Sequence, residues 1–249
     1  MGSLLFDQNY SGYQEEDHQT WKTLCGRQLV LRKENISTAY LTGFKNLELD
    51  HSRIARIDVI SSRLKSISGW TLIPVAGLIP TRDFFTMMID KKYPITVSIR
   101  KPWQMDFIDH PDIFHDVCGH VPLLTNLEFV NFLANYSLLA LKYLDDDRAV
   151  NILSRLYWFT CEMGVIVEQG AYKAYGGAVI TSAQEIVNIN NTNVPKYPFT
   201  LDQILNTSFD YSQLQTEYFV INSYDELFNS LINLEKHLLE HIASVTKIN

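Results

Sequence analysis

Apolar residues recur at two different spacings along this 249-residue chain. Across residues 50–69, Ile54, Ile57, Ile60 and Leu64 follow at intervals of three or four, the repeat that gathers side chains on one face of a helix. Asp50 is placed to cap that helix and Gly69 to end it. Over residues 93–100 the spacing becomes strict alternation, with Ile95, Val97 and Ile99 against Thr96, Ser98 and Arg100, which predicts a half-buried strand. Helical spacing returns over residues 126–144 and 148–163. In VIVEQGAYKAYGG, Gly170 suits the turn of a short hairpin. QTEYFVI then reads as a strand, and Ser223 with Glu226 forms an S-x-x-E capping box ahead of Leu227, Leu231, Leu234, Leu238 and Ile242. Residues 1–19 are polar and unpatterned and read as a loosely held segment; residues 20–249, undivided by any linker, read as one domain. With no internal repeat, these elements predict a mainly helical α+β domain with short strands.

Composition narrows the functional classes. A hydrophobic content of 46% supports a buried core, and a formal charge of -7 leaves no basic footprint for nucleic acid or an anionic membrane, so the expected partner is a small molecule. Cys25, Cys118 and Cys161 are odd in number and lack C-x-x-C spacing, which reads as reduced thiols in a cytoplasmic setting. The first residues lack the basic and apolar regions of a signal peptide, and Phe6 stands where a myristoylation motif needs Ser or Thr. No apolar run approaches the roughly 20 residues that cross a bilayer.

The chemistry concentrates in DHPDIFHDVCGHVPLL. Pro111 suits a first helical turn and Asp112 favours its positive end, while Gly119 and Pro122 predict that the helix stops almost at once. His115 and His120 are five residues apart, which on a continuous α-helix splays their rings by about 140°. A turn at Gly119 would return His120 to the side of His115. This differs from H-E-x-x-H, where the histidines stand one turn apart. A third donor, Glu162, lies in LYWFTCEMGVIV, where an unpaired carboxylate is costly. Two imidazoles and a carboxylate make a facial triad with about three of six positions open, the arrangement of oxygen-activating Fe(II).

Plainer readings stand beside this one. A histidine on an apolar face often serves only as a hydrogen-bonded core residue. Glu162 could be paired with Arg82, Arg100 or Arg155 in a buried ion pair. Cys118, on the same helical face as His115, and Cys161, beside Glu162, allow a thiolate zinc site to be drawn. His237, Glu240 and His241 on the last helix could hold a surface metal or simply face solvent.

PDIFHDVCGHVPLL, LYWFTCEMG, KAYGGAVITSAQE and AGLIPTRDFF closely resemble the pterin-dependent aromatic amino acid hydroxylases, above all the bacterial phenylalanine 4-hydroxylases, over roughly residues 70–228. The resemblance implies a catalytic domain without the regulatory domain or tetramerisation helix of animal relatives, as a monomer or small homo-oligomer. It makes His115, His120 and Glu162 the iron ligands and catalytic centre. It matches Phe84 to an aromatic that stacks on the pterin, Gly77, Ile79 and Thr81 to the loop that hydrogen-bonds it, and Asp116 to an acidic residue beside it. Arg100 matches the group that grips the substrate carboxylate; Trp158 and Pro111 match walls of the ring pocket; Thr181 matches a hydroxyl near the amino acid group; Tyr157 matches a supporting tyrosine near the iron. Met163 and Ile108 depart from the family pattern, which implies a reshaped pocket around the same chemistry. The implied reaction consumes dioxygen and a tetrahydropterin at Fe(II) and hydroxylates phenylalanine to tyrosine, one oxygen atom going to the pterin and one to the ring. Competing readings are a hydroxylase preferring tryptophan or tyrosine, a zinc-dependent hydrolase with Glu162 or Asp116 as base, and a catalytically idle amino acid-binding protein.

Overall fold

Helices carry the architecture and short strands tie their ends together, as the α+β reading requires. The computed structural model describes residues 6–106 and 108–246. In chain order these form α1 (Glu15–Asn35), α2 (Thr38–Asn46), α3 (Ile57–Ser68), β1 (Thr71–Val75), α4 (Thr81–Ile89), β2 (Lys92–Thr96), α5 (Leu127–Lys142) and α6 (Asp147–Tyr157). There follow β3 (Val165–Glu168), β4 (Ala171–Ala174), α7 (Gly177–Thr181), α8 (Ala183–Asn188), β5 (Lys196–Pro198), α9 (Leu201–Asn206), β6 (Tyr218–Ile221) and α10 (Tyr224–Thr246).

The long helices follow their apolar stripes and caps. α5 starts at Asn126, whose side chain accepts from the Phe129 N–H, and α6 at Asp146, which accepts from Arg148 and Ala149. α3 buries Ile57, Ile60 and Leu64 and ends at Gly69 in the left-handed conformation, φ 80°. Its start differs from expectation: Asp50 caps only a local turn at Ser52, and the helix begins at Ile57. The Ile57 N–H is satisfied by Gln8 Oε1 at 2.9 Å, while Gln8 Nε2 donates to the Ala55 carbonyl at 2.8 Å. The expectation of a loosely held N-terminal stretch therefore fails for residues 6–19. Phe6 N–H bonds the Pro74 carbonyl, the Tyr10 and Tyr13 hydroxyls donate to Ile54 and Val97, and His18 is buried. Residues 1–5 lie outside the described part.

β1 and β2 pair in parallel around α4, a βαβ unit in which β1 escaped sequence reading. β2 is shorter than the alternation implied, ending at Thr96, and Tyr93 to Thr96 are all buried, so it is not half-exposed. A second sheet runs β4-β3-β6-β5. Its β3–β4 hairpin turns on Gln169 and Gly170, both at positive φ (52° and 79°), the two-residue turn expected around Gly170. At α10, Ser223 Oγ accepts from Glu226 N–H, but the Glu226 carboxylate takes the N–H of Asn222 instead of closing the expected box on Ser223. α10 buries Leu227, Leu234 and Leu238 against α5, α6 and α9. Among the described residues, no helix is long and apolar enough to cross a membrane.

Candidate active site

Both segments that carry the suspected donors are single π turns. Residues His115–His120 form one, and Trp158–Glu162 at the end of α6 form the other, closed by the Met163 N–H on the Trp158 carbonyl at 2.7 Å. This corrects the expectation of a helix stop at Gly119. The backbone stays helical through His120 and Val121, and its widened i to i+5 hydrogen bonding lets five residues span about one turn instead of overshooting by about 140°. Gly119 has another task. A Cβ there would lie 2.9 Å from the Gly177 carbonyl oxygen, so glycine allows the first residue of α7 to press against the π turn. A Cβ on Gly177 would in turn meet the His120 ring at 2.3 Å. Gly177→Ala should therefore displace His120 and weaken metal binding by about 10–100-fold, as loss of a ligand-orienting contact does. Metal titration monitored by bound-metal analysis checks this, and unchanged affinity would count against the packing argument.

His115 Nε2 lies 3.1 Å from His120 Nε2, and Glu162 places Oε2 3.6 Å from the first and Oε1 3.4 Å from the second. Among the described residues this is the one group of three His, Cys, Asp or Glu donors that could hold a metal, its ligand atoms within 4.8 Å of one another. Thr181 Oγ1 donates to the Gly177 carbonyl at 2.8 Å and so accepts from His115 Nδ1, 3.1 Å away. That hydrogen bond keeps the His115 proton on Nδ1 and leaves the Nε2 lone pair facing the other donors. Burial pushes His115 down to about 4, against the pull of Glu162. Burial also opposes charge on Glu162, but His120, His115 and the Ala178 N–H outweigh it and hold the carboxyl at about 2. His120 is raised: burial lowers it, and Glu162 more than compensates. Two imidazole nitrogens and a carboxylate facing one point fit a divalent cation that accepts imidazole and carboxylate ligands.

The triad opens onto a cavity of about 680 Å³ lined by His115, Glu162, Arg100, Pro111, Tyr157, Trp158, Met163, Thr181, Phe84, Ile79, Thr81 and the departing Ile108. Phe84 meets Phe85 and Tyr157 edge-on, leaving it partly exposed to the cavity. Gly77, Asp116 and His120 are not in the lining, so the triad meets the cavity through His115 and Glu162. The buried Asp116 carboxylate accepts from the Thr96 N–H at 2.7 Å, and burial raises it to about 7. Thr181 faces the cavity while its hydroxyl is engaged with His115.

Arg100 is more constrained than its sequence position implied. Its Nε and Nη2 form a bidentate pair with Asp112, at 2.9 and 3.0 Å, and both side chains are buried. Asp112 also accepts from the backbone N–H groups of Arg100 and His115. Among the described residues no protein acceptor is bonded to Nη1, so the end-on Nη1/Nη2 edge is what Arg100 can offer an anion in the cavity. Sequence reading credited Asp112 only with favouring a helix terminus, although an acidic residue three before a suspected ligand was itself a capping signal. It also missed Gln215 and Phe209, which touch Trp158 by hydrogen bond (3.0 Å) and by stacking (4.8 Å). Nothing local in the sequence marks those two.

The alternative pairings do not form. Arg82 bonds Asp145, Arg155 bonds Asn151 and the Leu205 carbonyl, and Arg100 bonds Asp112, so Glu162 pairs with none of them. Neither Cys118 nor Cys161 joins the donor group, and burial pushes the Cys161 thiol far up, away from thiolate. His241 turns to the His237 carbonyl, and among the described residues the last helix contributes no metal group.

The family model described as biopterin-dependent aromatic amino acid hydroxylase matches residues 9–245. The phenylalanine-4-hydroxylase of Chromobacterium violaceum is 35% identical over 219 residues, covering 88% of this chain and 73% of that protein. The phenylalanine hydroxylase structure from that organism with iron(III) and oxidised 7,8-dihydrobiopterin superposes with a TM-score of 0.89 at 33% identity, over 95% of this chain and 87% of the other. The form with iron and phenylalanine gives 0.89 at 32% identity, over 96% and 87%.

Proposed function

This chain belongs to the biopterin-dependent aromatic amino acid hydroxylases, and from that membership we propose that it hydroxylates L-phenylalanine to L-tyrosine using Fe(II), a tetrahydropterin and dioxygen. The observation that carries this reading is the His115, His120 and Glu162 triad, opening onto a largely apolar cavity that also holds one face of Arg100. His115, His120 and Glu162 would hold the iron, which when bound supplies the oxygen activation that the polypeptide cannot.

The residues then divide the remaining work. Thr181 holds the His115 ring with Nε2 toward the metal, and the Ala178 N–H supports the Glu162 carboxylate. The end-on edge of Arg100 takes the substrate carboxylate, with Asp112 fixing the guanidinium plane. Trp158, Pro111 and Met163 enclose the aromatic ring, and Phe84, Ile79 and Thr81 receive the pterin. For Gly77 and Asp116 the resemblance alone supports a pterin role; for Asp116 it would require indirect support through the Thr96 backbone. Tyr157 packs on Phe84 and backs that site.

A cytoplasmic setting and a monomer or small homo-oligomer without nucleic acid or membrane partners complete the proposal. It is supported by the net charge of -7 and by cysteines that form no disulfide. The test is protein loaded anaerobically with Fe(II), then given tetrahydropterin, oxygen and phenylalanine, tyrosine or tryptophan in parallel. Tyrosine from phenylalanine as the fastest reaction is expected. Faster turnover of tryptophan or tyrosine would reassign the substrate.

A further inference from the structure

Trp158 is held by a buried polar relay outside the metal centre. Its indole Nε1–H donates to Gln215 Oε1 at 3.0 Å, and its ring lies on Phe209 at 13° to coplanar. An indole N–H only donates, so Gln215 must present oxygen to it. The other end of the amide agrees: Nε2 points to the Asp210 carbonyl at 3.3 Å. The backbone is held as firmly, with Gln215 N–H donating to Glu185 Oε1 at 2.8 Å and the Gln215 carbonyl accepting from Asn188 Nδ2 at 2.9 Å. The Tyr218 hydroxyl donates to the second oxygen of Glu185.

Glu185 is buried and, among the described residues, has no ion-pair partner; neutral donors take both oxygens. A carboxylate offers only acceptors, so it fixes the direction of each bond it receives. Thr181, four residues earlier in the same stretch, orients His115. One short segment of α7 and α8 thus sets both a metal ligand and, through Gln215, the plane of the indole facing the cavity.

We infer that Gln215, held by Glu185, is a positioning residue that sets the Trp158 indole plane and thereby how the substrate ring is presented, and so which aromatic side chains are hydroxylated productively. The inference rests on the proposed hydroxylase activity. Gln215→Met, similar in length but with a thioether that is only a weak acceptor, tests it alongside Gln215→Glu, which keeps a strong one. The readouts are tyrosine formed per tetrahydropterin oxidised, KM for phenylalanine, and the kcat/KM ratio of phenylalanine to tryptophan. Each is measured in the wild-type and Trp158→Phe backgrounds.

Loss of a buried hydrogen bond predicts that Gln215→Met lowers product per pterin, raises KM and shifts the substrate ratio, each by about fivefold. Gln215→Glu should recover most of this, and the effect of Gln215→Met should vanish in Trp158→Phe, which has no N–H to hold. Unchanged coupling, KM and substrate ratio in a folded Gln215→Met protein would overturn the inference, as would an equal effect in both backgrounds. Should Gln215→Met fail to fold, Trp158→Phe decides alone: it must show the same shifts, and wild-type values would refute the role. If the unmutated protein forms no tyrosine, the hydroxylase reading fails first and carries this inference with it.

Discussion

Replacing Glu162 by Ala is expected to abolish iron retention and tyrosine formation while leaving the fold in place. His115→Ala and His120→Ala should do the same. Each removes one of three donors confined within 4.8 Å, and the loss should exceed the about 10–100-fold that follows from disturbing a merely supporting residue. The pH dependence has a definite sign. His120 is raised above its ordinary 6.5 by Glu162, so in metal-free protein its proton stabilises the site below about 6.5 and is lost as pH rises through the raised value. Glu162, held at about 2, contributes above its ordinary 4.5 and loses that contribution as pH falls toward 2. A metal must displace the His120 proton, so iron affinity should fall by about one decade per pH unit on acidification below the raised His120 value. Equilibrium dialysis at graded pH reads this. Full iron content and activity in any of the three alanine variants would remove that residue from the centre.

Arg100→Ala carries the second large effect, and it reaches beyond substrate affinity. As a carboxylate clamp at a strand end, the role the resemblance implies, Arg100 would act chiefly on KM. The structure makes it the partner of Asp112, which is 1% exposed. Removing one member of a buried pair costs about 3–5 kcal/mol, so the variant should be strongly destabilised in urea, with a higher KM for phenylalanine in whatever protein remains folded. In the wild type, burial raises Asp112, but the hydrogen bonds and charge of Arg100 more than offset this and hold it below 3.8. That stability is present above about 3.8 and is lost as pH falls through the lower folded value. In Arg100→Ala the sign reverses: only the backbone N–H groups of residue 100 and His115 then oppose burial, Asp112 rises, and the penalty eases on acidification as the carboxyl protonates. Wild-type urea stability, or a destabilisation that grows toward mild acid, would contradict this.

The difference between those two predictions illustrates what the chain discloses locally. Glu162 was conspicuous because a carboxylate among Phe159, Cys161 and Met163 needs a partner, and a five-residue run displays that conflict. The pairing of His115 with His120 was also visible, but its geometry was not. A π turn depends on what presses against it, and Gly177 comes from a segment more than fifty residues later. Arg100 and Asp112 form a pair only once the chain after β2 has folded back. β1 escaped because TLIPV, which buries only Leu72 and Val75, has no period-two alternation and contains a proline, tolerated here because a two-stranded sheet has only edges. The N-terminal stretch looked loose for the same reason: Gln8 is an ordinary polar residue until the unsatisfied N–H of Ile57 lies beside it. The family motifs implied the roles proposed for Phe84 and Trp158, whereas the hold of Thr181 on His115, and Gln215 with Glu185, appear only in three dimensions.

Turnover under isotopically labelled dioxygen tests the central claim most directly. Iron-loaded protein supplied with tetrahydropterin and phenylalanine should yield tyrosine carrying one labelled oxygen atom, with no tyrosine formed when oxygen is withheld. Tyrosine whose new oxygen comes from water, or product formation that persists without oxygen, would contradict it.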